Sequence, residues 1–223
     1  MSASAAIPGA DLPIPRIFHR IWLGGPMPER ERRFGETWAE HHPDWQMWLW
    51  HEGNLPPLVN QAQFDAATVY AQKADISRYE LLLEYGGVYL DTDFECLRNI
   101  EPLLGGVRGF TAREDAERVA IGIMGCVPGH PFFARMIAEL PDSVAWRSGR
   151  PPNEQTGPQL LSRVLVQQEA LGAETLTVFG PELFYPYHWS VPEAEFRAFP
   201  QAYAVHHWAK SWMGKAGISA HLS

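Results

Sequence analysis

Cysteine is nearly absent from this chain: Cys96 and Cys126 are the only two in 223 residues. Two thiols without a His/Cys cluster at metal-ligand spacing make neither a disulfide framework nor a zinc site. Both read as small buried hydrophobes. Also missing is any run of basic residues. Lys and Arg number 18 against 26 Asp and Glu, a formal net charge of −8, which argues against nucleic acid as a partner. No acidic tail or charge block marks a disordered segment. No apolar stretch reaches the roughly 20 residues of a membrane span, and the N-terminus lacks the basic-then-apolar pattern of a secretory signal. These absences lead to the expectation of a soluble, cytoplasmic chain without a transmembrane segment, with peripheral membrane association left open.

What the chain has in quantity is apolar and aromatic. Hydrophobic residues make up 46% of it, enough to bury one substantial core and hence form one domain. Nine tryptophans imply either a thick aromatic core or stacking surfaces for flat ligands. Residues 1–13 are small, polar and proline-containing and read as a flexible arm ahead of a folded domain at 14–223.

Strand and helix patterns alternate along that domain. Ile14 to Trp22 reads as a first strand, stopped by the turn signal Leu23-Gly-Gly-Pro26. A helix is expected from Pro28 to Glu40, a strand from Trp45 to Trp50, and mostly helix from Pro57 to Tyr85 with at least one break. Val88 to Leu90 follows as a short central strand, then a strand at 119–127 and a helix at 130–140. Residues 141–155 carry three prolines and a glycine and read as the longest irregular stretch. A helix from Gln155 or Thr156 to about Ala170 and a strand at 175–179 come next. The layout predicts an α/β fold with an open, mostly parallel sheet flanked by helices.

The richest segment is Ala74 to Glu95. Ile76, Tyr79 and Leu83 fall at helical spacing on one core-facing stripe. Asp75 and Arg78, three apart on another face, can reach a common point; alone they would read as an exposed ion pair of little energetic worth. Gly86-Gly87 ends the helix. After the apolar strand come Asp91 and Asp93, which on an extended backbone share a face. Two readings stand for them, a solvated turn or a cation site, because paired acids at the end of a buried strand repel unless a cation joins them. In a parallel sheet this is also where ligands gather, beyond the carboxyl ends of the strands. Trp22 lies beside Gly24-Gly25, which would let a planar base approach its ring. Near the C-terminus His206, His207, Trp208, Ser211 and Trp212 cluster, and a histidine can complete a metal's shell beside two carboxylates. Asn153, Gln155, Thr156 and Gly157 precede a helix and read first as N-cap chemistry.

Ile14-Pro-Arg-Ile-Phe-His-Arg-Ile-Trp22, the block from Ala74 to Glu95, Thr156-Gly-Pro158 and His206-His-Trp-Ala-Lys-Ser-Trp212 together resemble glycosyltransferase family 32, in that family's order and across nearly the whole chain. The resemblance extends to initiating mannosyltransferases and α-1,4-galactosyltransferases and, distantly, to clostridial glucosylating toxins. It implies a GT-A-type fold that binds a nucleoside-diphosphate sugar, a UDP- or GDP-hexose, and transfers the hexose with retention to a glycan or other hydroxyl acceptor. By the same likeness Trp22 would border the nucleobase, Asp75 and Arg78 would hold the donor hexose, and Tyr89 would line the donor site. Asp91 would contact ribose or sugar, directly or through the metal. Asp93 would ligate Mn²⁺ or Mg²⁺, His206 would complete that shell with His207 as the competing choice, and Ser211 and Trp212 would close over the phosphates. The family's eukaryotic membrane anchor and disulfide-bearing domain have no counterpart here. That points to a bacterial enzyme of surface-polysaccharide synthesis, with a protein-glycosylating effector or a non-catalytic nucleotide-sugar-binding module as alternatives. A haloacid-dehalogenase-type phosphatase also uses Asp-x-Asp after an apolar strand, but it needs Thr or Val where Glu95 stands.

Overall fold

A computed structural model describes residues 12–191 and 199–209. Its main sheet has six strands: β1 (Ile17–Ile21), β2 (Gln46–Trp50), β3 (Gly87–Leu90), β5 (Gly109–Arg113), β6 (Val119–Cys126) and β7 (Thr177–Phe179), in the order β2-β1-β3-β6-β5-β7. The β2/β1, β1/β3 and β5/β7 pairs are parallel, while β6 runs antiparallel to both β3 and β5. β4 (Phe94–Cys96) and β8 (Ala204–His206) form a separate antiparallel ladder, and two short helices, α2 (Gln61–Ala66) and α4 (Glu101–Leu104), follow β2 and β4 in the chain. Among the described residues no helix is long and apolar enough to cross a membrane.

The sheet separates two cores, as strand alternation requires. On β3, Tyr89 points into one and Val88 and Leu90 into the other. The first core is closed by α3 (Tyr70–Tyr85), α5 (Pro131–Trp146) and α7 (Pro158–Ala170), through Ile76, Phe132, Met136 and Leu161 among others. The second is closed by α1 (Glu29–His41), whose Trp38 is fully buried beside Phe18. Cys96 and Cys126 are free and buried in these cores, as their apolar character demands.

Where the expected elements differ, the reasons are local. The stretch 141–155 is not irregular: α5 continues through Pro141 to Trp146, and α6 (Pro152–Gln155) follows. A helical proline removes one N–H, and here the helix persists because Leu140 and Ser143, on either side, are buried, with Ser143 Oγ donating to the Gln155 carbonyl at 2.7 Å. α3 is buried well beyond the expected stripe: Ile76 and Tyr79 are fully inside, Leu83 is half-buried, and Asp75, Arg78 and Glu80 are covered as well. Three strands lie outside the expected set, β4, β5 and β8; β4 and β8 are only three residues long, below what an alternation pattern can reveal. Gly86 and Gly87 have φ of 64° and 86°; a Cβ on Gly87 would stand 2.6 Å from the Ile17 carbonyl, so the sharp return from α3 into β3 needs both glycines.

His19 ties this turn to the sheet edge. Trp50 Nε1 donates to His19 Nδ1 at 3.0 Å, so the imidazole proton sits on Nε2, 2.8 Å from the Gly86 carbonyl it donates to. Burial pushes its pKa down to about 4. The His19 imidazole signals in ¹H–¹⁵N NMR should therefore hold the Nε2–H pattern down to about pH 4. An unfolded chain takes up this proton near pH 6.5. The stability His19 contributes is complete above that pH and falls by about 3 kcal/mol as pH drops to 4. Titration near 6.5 in the folded protein would refute the assignment.

Candidate functional site

The acidic pair lies in a turn rather than on a strand. β3 ends at Leu90, the Phe94 N–H closes back onto the Asp91 carbonyl at 3.2 Å, and β4 begins. An extended backbone would have set the two side chains on one face; the turn instead folds both towards a third group. His206, the last residue of β8, is placed opposite Phe94 by the antiparallel register. One ligand atom each from Asp91, Asp93 and His206 lies within 4.8 Å of the others. His206 Nε2 is 3.0 Å from Asp93 Oδ1 and 3.8 Å from Asp91 Oδ2. His207 faces the other way, 2.7 Å from Glu95 Oε2 and stacked on Phe34, so of the two histidines only His206 joins the acids.

The remaining oxygens of the pair are held by the fold. Asp91 Oδ1 accepts from the Tyr89 hydroxyl at 2.7 Å and lies 3.3 Å from Arg78. Asp93 Oδ2 accepts the Ala209 N–H at 2.8 Å. That leaves Asp91 Oδ2, Asp93 Oδ1 and His206 Nε2 converging. Two carboxylate oxygens and an imidazole nitrogen are a donor set that suits Mg²⁺ or Mn²⁺; the His206 Nδ1 is buried and has no hydrogen-bond partner among the described residues. Burial opposes ionisation of both acids; it wins at Asp91, whose pKa is raised, whereas His206 and the Ala209 N–H draw Asp93 down to about 2. Burial also disfavours charge on His206, yet Asp93 and Asp91 raise its pKa. The centre is thus built for a positive charge.

Behind it stands the pair from α3. Arg78 meets Asp75 Oδ1 at 2.9 Å, donates to the Ile121 carbonyl at 2.9 Å, and covers the Tyr89 ring at 4.4 Å. Both side chains are nearly inaccessible, 5% exposed for Arg78 and 7% for Asp75, so this is no surface ion pair. Burial pushes the Asp75 carboxyl up to about 6, against the pull of Arg78 and of the Thr156 hydroxyl that donates to Oδ2 at 2.9 Å. Tyr89, expected to line a donor cavity, is 1% exposed, with its ring under Arg78 and its hydroxyl on Asp91. It stands behind the carboxylate and positions it.

Trp22 leaves β1 half-buried, its N–H on the Trp50 carbonyl at 2.9 Å. Because β1 and β3 are parallel neighbours, Trp22 and Asp91 emerge at the same carboxyl edge of the sheet. Ser211 and Trp212 lie outside the described residues, as does the arm at 1–13 apart from its last two residues. For two supporting residues sequence pattern did not give the role. Thr156, read there as N-cap chemistry, holds Asp75 instead and leaves Gly157 as the cap of α7. Arg20, 5% exposed, donates to the Thr92 carbonyl at 2.8 Å and so pins the acidic turn from β1. A charged residue in the strand that carries Ile17, Phe18 and Ile21 was the available signal.

A family model described as a glycosyltransferase sugar-binding region containing a DXD motif matches residues 28–108. Inositol phosphoceramide mannosyltransferase 3 of Schizosaccharomyces pombe is 29% identical, with 88% of this chain and 60% of that protein covered. Lactosylceramide 4-alpha-galactosyltransferase of Pongo pygmaeus is 31% identical, with 63% of this chain and 68% of that one covered. The chain spans less than two thirds of the length of the yeast relative. Among solved structures, PaToxG glycosyltransferase superposes with a TM-score of 0.57 over 74% of this chain and 81% of that one. At 17% identity this likeness concerns the fold alone.

Proposed function

Because the chain belongs to the glycosyltransferase family whose sugar-binding region contains the DXD motif, we propose that it transfers a hexose from a nucleoside-diphosphate sugar to a hydroxyl acceptor, with retention of anomeric configuration and dependence on a divalent cation. The observation that carries this reading is the convergence of Asp91, Asp93 and His206 within 4.8 Å, directly in front of the buried Asp75–Arg78 pair. Mn²⁺ or Mg²⁺ held by Asp91 Oδ2, Asp93 Oδ1 and His206 Nε2 would supply the charge that stabilises a departing diphosphate.

The chain's own residues do the rest. Asp75 would accept from hexose hydroxyls and Arg78 donate to them through the small part of each side chain left exposed, with Thr156 and Tyr89 fixing both geometries. Trp22 borders the base. The reacting C1–O bond to phosphate breaks as the acceptor oxygen bonds to C1, and the acceptor's proton passes to the departing phosphate oxygen. A covalent sugar–enzyme route needs an uncommitted carboxylate. Asp75, Asp91 and Asp93 are each engaged by Arg78, Tyr89, Thr156, His206 or a backbone N–H, which supports attack from the face the phosphate leaves.

For the acceptor, the two relatives act, by name, on inositol phosphoceramide and on lactosylceramide. A polar lipid head group bearing free hydroxyls therefore stands ahead of a surface polysaccharide. A panel of UDP- and GDP-hexoses with Mn²⁺ or Mg²⁺ should reveal one donor that releases nucleotide slowly alone and faster with such a glycolipid, and chelation should stop both. No turnover and no metal-dependent thermal shift with any donor would overturn the reading.

A further inference from the structure

Among the described residues Tyr185 is a buried phenol packed against the acidic centre whose hydroxyl donates to no group of the fold. It follows α8 (Pro181–Phe184) and is 3% exposed. Its ring packs against Phe94 at 5.3 Å and His206 at 5.3 Å, and its hydroxyl has no hydrogen-bond partner among the described residues. Tyr89 and Tyr79, the neighbouring buried phenols, both donate, to Asp91 and to the Thr156 carbonyl. A buried hydroxyl left unpaired is disfavoured, and phenylalanine would fill the same space without that penalty.

The hydroxyl lies close to the cation-facing oxygen of the centre. Its location is fixed by Gly122 on β6, whose carbonyl accepts the Asp91 N–H at 2.7 Å. A Cβ placed on Gly122 would lie 2.7 Å from Asp91 Oδ2 and 2.8 Å from the Tyr185 hydroxyl. The two oxygens thus flank one spot over a glycine, near enough for a single further oxygen atom to bridge them. Asp91 Oδ1 is already engaged by Tyr89 and Arg78, so Oδ2 is the atom a cation would meet. Any side chain at position 122 would fill the bridging space.

We propose that Tyr185 is a ligand-facing residue of this centre, its hydroxyl donating to an oxygen that arrives with the cation: a phosphate oxygen of the nucleoside diphosphate or a cation-bound water. The proposal rests on the reading of the centre given under Proposed function, and deepens it by assigning a further hydrogen-bond donor beside Gly122 of β6.

The test is Tyr185→Phe, compared with the parent by calorimetric titration of Mn²⁺ alone and of UDP and GDP in the presence of Mn²⁺. Without ligand the variant should melt at or above the parent's temperature, because no protein partner is lost. With ligand it should lose about tenfold in affinity, the worth of one hydrogen bond to a charged oxygen. A loss confined to the nucleotide titration identifies the phosphate oxygen; a loss already seen with Mn²⁺ alone identifies the bound water. Equal affinities in every titration, or a lower melting temperature in the ligand-free variant, would overturn the assignment of Tyr185 alone. A parent protein that binds neither Mn²⁺ nor nucleotide would overturn the reading of the centre and this assignment with it.

Discussion

Exchanging Asp93 for asparagine should lower cation-dependent hexose transfer by about 10³-fold, since one of the charges that would anchor the cation is removed at a cost of several kcal/mol in the transition state. The fold should survive. Asparagine keeps an oxygen for the Ala209 N–H, which Asp93 Oδ2 now accepts at 2.8 Å, and another polar atom facing His206. Stability should fall only by the charge term. Despite burial, His206 and the Ala209 N–H hold the Asp93 carboxyl down at about 2. Its ionised form therefore stabilises the fold above the ordinary carboxylate pKa, and that stability is lost as pH falls through 2. At neutral pH the variant forfeits about 2 kcal/mol, a melting shift of roughly 5 °C. Turnover that stays at the parent's level with Mn²⁺, or a collapse of the fold, would separate Asp93 from the cation and make it structural.

The second large effect belongs to Arg78. Arg78→Met should destabilise the protein by about 3–5 kcal/mol, the usual cost of leaving buried charges without their partner, or on the order of 10 °C in melting temperature. Its guanidinium serves Asp75, Asp91 and the Ile121 carbonyl at once, and lysine cannot reproduce that fork. The pH dependence gives the effect a signature. With Arg78 gone, Asp75, already raised to about 6 by burial, takes up a proton more readily, so the penalty should be smaller at pH 5 than at pH 8. Adding Asp75→Asn to Arg78→Met should restore part of the lost stability. Strict additivity of the two substitutions in urea melts would show that no buried charge is being stranded.

How much of this was legible in sequence depended on separation along the chain. Asp75, Arg78, Asp91 and Asp93 fall within 19 residues, and helix spacing, a double glycine and an apolar strand sufficed to aim them at one place. The choice between His206 and His207 was not readable, because it turns on the register of β8 against β4, strands more than a hundred residues apart. Thr156 was hidden for a related reason. Its hydroxyl meets Asp75 across 81 residues, and locally it looks like any residue before a helix. Tyr89 shows the opposite case, a residue whose place beside the acids was legible but whose alternation into the core makes it a support for Asp91 instead of a wall of the cavity. The acids themselves were expected on extended backbone, and the turn that holds them depends on Arg20, which reaches Thr92 from a different strand.

The β4/β8 ladder carries a kinetic consequence. It is only three residue pairs long, and together with the His207 and Ala209 N–H bonds to Asp93 it brings His206 to the two acids, whose own turn is fixed by the main sheet. Short ladders of this kind open with far less free energy than the global fold. Opening it would withdraw the imidazole while Asp91 stays anchored to Tyr89 and Arg78. The exchange of a bound cation would then follow the breathing of β8 rather than unfolding of the domain, and the backbone amides of Ala204 to His206 should exchange with deuterium sooner than those of β3.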